Sequence, residues 1–211
     1  MIAVLTGDLI NSTSHNREDV DYQFKLIQRA FVQVGEWGDQ SASDVERFRG
    51  DGWQVALSRP KHCLRAALLV RATLRSVNTK FDSRVSVGIG HSEYLNFNDL
   101  AASTGSAFIV SGRKLEKMRK SKTQFAFGHF GREGADANLA AAIFYLCDSL
   151  CDRWTSKQSE IMVHFLNLDN KNQSKIGDIL EISQQVVSKQ IAASGGFAIS
   201  EAIDSFEEWI D

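Results

Sequence analysis

Apolar residues follow two rhythms along this chain, and the points where the rhythm changes divide it into elements. Residues 1–6 are an apolar run ending in Thr6-Gly7-Asp8, the length of a buried strand. Residues 19–36 carry Val20, Phe24, Ile27, Phe31 and Val34 at helical spacing, and Gly35 and Gly38 break that helix. Residues 45–49 and 53–57 read as two strands joined across Gly50-Asp51-Gly52, where Asp-Gly suits a type I′ turn. Pro60 fits the first turn of a second helix, which has Cys63, Ala67, Val70 and Leu74 on one face before Asn78. Val85, Val87 and Ile89 alternate through a strand at 84–90. After a polar loop at 91–98, Phe108, Gly112, Leu115 and Met118 make a helical stripe within 105–118, and 123–127 is a last strand.

The resulting order, β-α-β-β-α-β-α-β, contains the ferredoxin-like βαββαβ unit and predicts an α+β domain over residues 1–130, an antiparallel sheet with helices on one face. Three glycines and two charged pairs mark 128–138 as a linker. Residues 139–154 form an amphipathic connecting helix within 135–154, whose Leu139, Ile143, Leu146 and Leu150 offer a packing seam toward a second domain or a dimer partner. An all-α region at 155–211 follows. In it, helices at 159–167 and 174–180 precede a third that Ser183 caps, with Ile176, Ile179, Leu180, Val186, Val187 and Ile191 inward. Gly195-Gly196 ends that helix, and 198–210 form a fourth.

Composition narrows the class. With 211 residues, 43% of them hydrophobic, the chain buries a sizeable core. A net charge of −2 argues against a uniformly basic nucleic-acid binder but leaves room for a local patch. Cys63, Cys147 and Cys151 show neither Cys-x-x-Cys nor zinc spacing, so reduced thiols in a cytoplasmic protein are expected. No apolar run approaches the length of a membrane span, and Gly7-Asp8 interrupts the first one too early for a signal peptide.

Two aspartates carry the candidate chemistry. If the first strand and the hairpin share one sheet, Asp8 and Asp51 meet at one end of it, oxygen ligands suited to a hard cation with phosphates. Taken singly, each also has a plain reading as a turn residue. The stretch Asp8-Leu9-Ile10-Asn11-Ser12-Thr13, then Gly50-Asp51-Gly52, then residues 85–90, resembles the class III nucleotidyl cyclase catalytic domain in order and spacing. That resemblance implies that Asp8 and Asp51 bind Mg2+ or Mn2+ holding a nucleoside triphosphate, in a site shared by a head-to-tail homodimer. It also implies a catalytic role for Arg113 and a nucleotide-binding role for Arg113 and Arg47. Two positions depart from the pattern. Ile109 stands where the family has a catalytic asparagine, and Ala102 where it has a polar base-reading residue, with Ser103 or Thr104 as neighbouring substitutes. An aliphatic side chain cannot donate to ribose or phosphate, and losing such a donor costs on the order of a hundredfold in rate. Arg113 belongs to a basic run with Lys114, Lys117, Arg119, Lys120 and Lys122, which reads equally as a solvated face.

The interval Leu180-Glu181-Ile182-Ser183 has the length of a helix-turn-helix turn, with Glu181 where glycine is common. Ser183, Gln184, Gln185, Ser188 and Lys189 would then face a major groove, with Lys189 or Lys175 on phosphate. Charge opposes this. Residues 154–211 hold four basic residues (Lys157, Lys171, Lys175 and Lys189) against nine acidic ones, a formal −5, although five of the acids lie after residue 200. A small helical bundle for packing is the competing reading.

As a whole, the cyclase-like region followed by Trp154-Thr155-x-x-Gln158 and Ile182-Ser183-Gln184-Gln185-Val186-Val187-Ser188-Lys189 resembles the bacterial SatD family. The expectation is a dimeric DNA-binding transcriptional regulator with a degenerate cyclase-like nucleotide and metal sensor. The alternatives are an active metal-dependent cyclase or related phosphoryl-transfer enzyme, and a protein-interaction module.

Overall fold

The computed structural model describes residues 1–168 and 172–210; Lys171 lies outside the described residues. Strand β1 (Ile2–Leu9) leads to α1 (Arg17–Gly35), whose first turn is capped by Asn16 accepting from the Asp19 N–H at 2.7 Å. Then come β2 (Glu46–Phe48), β3 (Gly52–Leu57), α2 (Cys63–Val77), β4 (Ser83–Gly90), α3 (Ser106–Met118) and β5 (Phe125–His129). The remaining helices are α4 (Ala135–Cys151), α5 (Ser156–Phe165), α6 (Gln173–Leu180), α7 (Gln184–Ala193) and α8 (Gly196–Ile210).

The architecture is mixed α+β. Five strands form one sheet in the order β2-β3-β1-β4-β5, antiparallel except for the parallel β4–β5 pair. Its first four strands take the order of a βαββαβ unit. The helices do not share one face, as the sequence led us to expect. A parallel pair needs a crossover, and α3 supplies it on the side opposite α1 and α2. Alternation along β1 divides accordingly: Ala3, Leu5 and Leu9 join the core under α1 and α2, while Ile2 and Val4 pack with Ala56 and Ala107. Gly88 permits the close approach of α3, because a Cβ there would lie 2.4 Å from the Ala107 carbonyl oxygen.

Helix α2 is buried nearly all round rather than on one face. The sheet and α1 cover one side, and α4, α5 and α8 cover the other, so a single hydrophobic core runs from β1 to Phe206. The arginines of α2 meet acids on those later helices. Arg65 donates from Nε to Glu207 at 2.8 Å. Arg71, with no exposed side-chain surface, grips both oxygens of Asp82 at 2.7 Å and donates to Asp148 and Asp152 at 2.6 Å. Arg75 donates to Asp82 at 2.8 Å and to the carbonyl oxygens of Asp152 and Trp154.

Several local expectations shift. Positive φ falls at Arg49 and Gly50, so Arg49-Gly50 makes the turn and Asp51 is not held there by a turn preference. Gly128 and His129, read as the start of a linker, end β5. Helix α4 turns Ala140, Phe144, Cys147 and Cys151 inward, leaving Leu139 and Leu146 of the anticipated seam exposed. Ile179 and Val186 are likewise exposed, because Ile176 on α6 and the Val187–Ile191 pair on α7 fill the core stripe.

Candidate functional site

The alternation that sends Leu5 and Leu9 to the α1/α2 side puts Thr6 and Asp8 on the α3 face. Gly7 sits between them because the Trp53 ring fills the space beside it, 2.4 Å from where a Cβ would stand. That indole donates to Ser83 Oγ at 2.9 Å, and Ser83 Oγ donates to the Asp8 carbonyl oxygen at 2.9 Å, fixing the backbone at Asp8. A polar row crosses the sheet one step away: Gln54 Nε2 donates to Thr6 Oγ1, which meets Ser111 Oγ at 2.8 Å.

The register pairs Asp8 with Gly52 on β3 and with Arg84 on β4. Asp51 therefore stands next to the cross-strand partner of Asp8, and its carbonyl oxygen accepts from the Leu9 N–H at 3.0 Å. The structure thus brings both aspartates to one end of the sheet. Their carboxylates take different partners. Asp51 accepts from Ser12 Oγ at 2.7 Å. Asp8, its side chain only 4% exposed, accepts from Arg84 Nη1 at 3.3 Å on one oxygen and from Arg119 Nε at 2.9 Å on the other.

Arg84 and Arg119 are residues that sequence reasoning missed. Arg84 had a signal, since it precedes the alternating Val85, Val87 and Ile89 and so lies on the opposite face of β4. Arg119 was hidden in the basic run, just past the end of α3. Of the rest of that run, Arg113, Lys117, Lys120 and Lys122 are exposed and Lys114 is half-buried; Ile109, one turn before Arg113, is exposed. Arg47 is committed elsewhere: its guanidinium lies 4.0 Å over the Phe24 ring, Nη1 donates to Asp21 at 2.7 Å, and Nε donates to the Gly50 carbonyl oxygen. Ala102 ends a short 3-10 turn, Ser103 Oγ accepts from the Asn96 N–H, and Thr104 pairs with Tyr94.

A divalent cation between Asp8 and Asp51 fits these residues poorly. Both Asp8 oxygens already accept from guanidinium groups, and those positive charges oppose a cation at the same carboxylate. Among the described residues no group of three or more His, Cys, Asp or Glu side chains is arranged to hold a metal ion.

No protein-family model matches the chain, and no curated protein does. Two solved structures of bacterial light-regulated adenylyl cyclases are similar in fold. One is 14% identical with a TM-score of 0.41, covering 60% of this chain and 74% of that one. The other is 16% identical with a TM-score of 0.41, covering 60% of this chain and 42% of that one. The likeness concerns the fold and carries no statement about activity.

The second candidate region is the α6–α7 pair. Asn172 caps α6 by accepting from the Ser174 and Lys175 N–H groups, and Ser183 caps α7 by accepting from Val186 N–H at 3.3 Å. Between them Glu181 adopts the left-handed conformation, φ 54° and ψ 40°, and Ile182 N–H returns to the Gly177 carbonyl oxygen at 2.9 Å. Gly177 lets the turn fold back this tightly, since a Cβ there would be 2.6 Å from the Ile182 carbonyl oxygen. Lys175, Ser183, Gln184, Gln185 and Lys189 are exposed and Ser188 is half-buried. Among the described residues, no helix is long and apolar enough to cross a membrane.

Proposed function

We propose that this protein is a DNA-binding transcriptional regulator whose sheet region senses a nucleotide. The observation that carries the DNA half is the α6–α7 turn. A non-glycine residue in the left-handed region at Glu181, clamped by the return of Ile182 to Gly177, gives the short fixed turn of a helix-turn-helix. The polar first turn of α7 stays free of the core, so Gln184 and Gln185 are available to adenine edges and Lys175 and Lys189 to phosphates. The acidic load of the C-terminal region bears on this less than its count implies. Asp204 and Glu207 are paired with Arg65, and the α6–α7 unit itself balances two lysines with Asp178 and Glu181. Two lysines per chain neutralise few phosphates, so a homodimer presenting two recognition helices is part of the proposal. Fluorescence anisotropy of the full chain with duplex DNA at low salt tests it. Binding weakened severalfold by Lys189→Ala is expected; no binding at low salt, or indifference to that substitution, refutes it.

A second reading is a metal-dependent nucleotidyl cyclase or related phosphoryl-transfer enzyme, favoured by the adjacency of Asp8 and Asp51 at one sheet end. It would need Mg2+ or Mn2+ on those carboxylates and Arg113 at the reacting phosphate. Ile109 supplies no hydrogen bond beside Arg113, and Asp8 is already ion-paired. Incubation with each nucleoside triphosphate and manganese is therefore expected to give no cyclic product. Turnover that Asp51→Ala abolishes would reverse this choice.

A further inference from the structure

The pairing that makes Asp8 a poor metal ligand makes its partners a good anion site. We infer that Arg84 and Arg119, held by Asp8, bind the phosphate chain of a small ligand directly, without a divalent cation. This deepens the sensor half of the function proposed above and does not depend on the DNA half. The carboxylate is buried, whereas the two guanidinium groups are partly open, with 27% of the Arg84 side chain and 45% of the Arg119 side chain exposed. Among the described residues neither arginine side chain makes another hydrogen bond, so each keeps donors for an incoming acceptor. A guanidinium fork matches two oxygens of one phosphate.

Asp8 does for these arginines what a floor does for two posts. Its oxygens take one donor from each, restricting the two rotamer-rich side chains before the ligand arrives and reducing the ordering cost of binding. The frame is rigid: Arg84 is in β4 directly across from Asp8, and Ser83 beside it is tied to Trp53 and to the Asp8 carbonyl oxygen. Lys117, Lys120 and Lys122, close to Arg119 in the chain and exposed, add positive charge to this segment, which suits a multiply charged phosphate chain better than a single carboxylate. Sharing one buried carboxylate brings the two guanidinium groups close together, a spacing suited to a compact anion rather than to the length of a DNA backbone.

Calorimetric titration of the full chain with inorganic tripolyphosphate, ATP and GTP, each in EDTA and in manganese, tests this. Binding of at least one probe is expected in EDTA, weakened about tenfold by Arg84→Ala and by Arg119→Ala, the loss of charge-assisted hydrogen bonds at each. Asp8→Asn removes the charge that orders the two guanidinium groups, so binding in EDTA is expected to weaken but to remain measurable. Tighter binding of ATP or GTP than of tripolyphosphate identifies a nucleotide as the source of the phosphates; equal binding identifies the chain alone. Circular dichroism confirms that each variant is folded. The proposal is overturned if binding requires manganese and vanishes in Asp8→Asn, if both arginine variants bind as the unaltered chain does, if none of the probes binds, or if the arginine variants weaken only duplex DNA. Failure of DNA binding with phosphate binding intact would refute the regulator and leave this site standing.

Discussion

Replacing Arg71 by methionine isolates the charge at the centre of the molecule, because the two side chains are similar in length and apolar stem. Arg71 makes four ionic contacts, two to Asp82 and one each to Asp148 and Asp152. Breaking a fully buried ion pair by removing one partner costs about 3–5 kcal/mol, since the other charge stays buried. The structure puts this case at the lower end. Asp82 keeps Arg75 and the Ser83 N–H, Asp148 keeps the Gln124 N–H, and Asp152 is half exposed. Burial raises the Asp148 carboxyl above its ordinary value despite Arg71. A loss of about 3 kcal/mol is expected, against a total of about 5–15 kcal/mol for a typical domain. Urea unfolding at pH 7 followed by tryptophan fluorescence measures it, and with a slope of about 3 kcal/mol/M the midpoint falls by about 1 M. Arg71→Lys, which keeps the charge but not the fork, is expected to lose less. A loss below about 1 kcal/mol for Arg71→Met would refute the view that this arginine holds α4 against α2.

Glu181→Gly relieves a left-handed non-glycine residue, worth about 1–2 kcal/mol, partly offset by the greater freedom of glycine when unfolded. A net gain of about 0.5–1 kcal/mol and a higher melting temperature are expected with DNA binding unchanged; a destabilised variant would show that Glu181 serves the turn through its side chain. Acid is expected to loosen the α2–α8 contact first. Burial pushes the Glu207 carboxyl up, but hydrogen bonds from His62 and Arg65 and their charges outweigh it and hold the group below its ordinary value of 4.5. Burial of Asp82 is likewise outweighed by Arg71 and Arg75, leaving it below 3.8. Depressed carboxyl values contribute stability that is complete above the unfolded values and is lost as pH falls through the folded ones. Unfolding curves from pH 6 to 2 are therefore expected to show a decline that begins near 4.5 and steepens below 3.8, and Glu207→Gln is expected to flatten its upper part. A decline already complete above pH 5 would contradict this assignment.

The sequence determined the elements and their order. The apolar run of β1, alternation in β4, helical spacing in α1 and α3, and the Ser183 cap before α7 are local signals, because each depends on residues within a few positions of one another. Even the two ends of the candidate site were legible, since Asp8 and Asp51 follow from a strand and a hairpin that share a sheet. Local signals could not say what covers a face. Helix α2 reads as amphipathic, yet its arginines are buried because acids from α4 and α8, up to 142 positions away, close over them. Only part of the seam predicted on α4 meets the core: Ile143 and Leu150 pack against it, whereas Phe144 stacks between Phe127 of β5 and Phe206 of α8 and Leu139 and Leu146 stay exposed. The partners of Asp8 were also beyond reach. Arg84 lies 76 positions away and Arg119 lies 111 away, joined to it only by sheet register and by the crossover through α3. The sequence placed a carboxylate at the end of a strand; the tertiary structure decided that it faces two guanidinium groups, because only long-range packing sets the charge around a side chain.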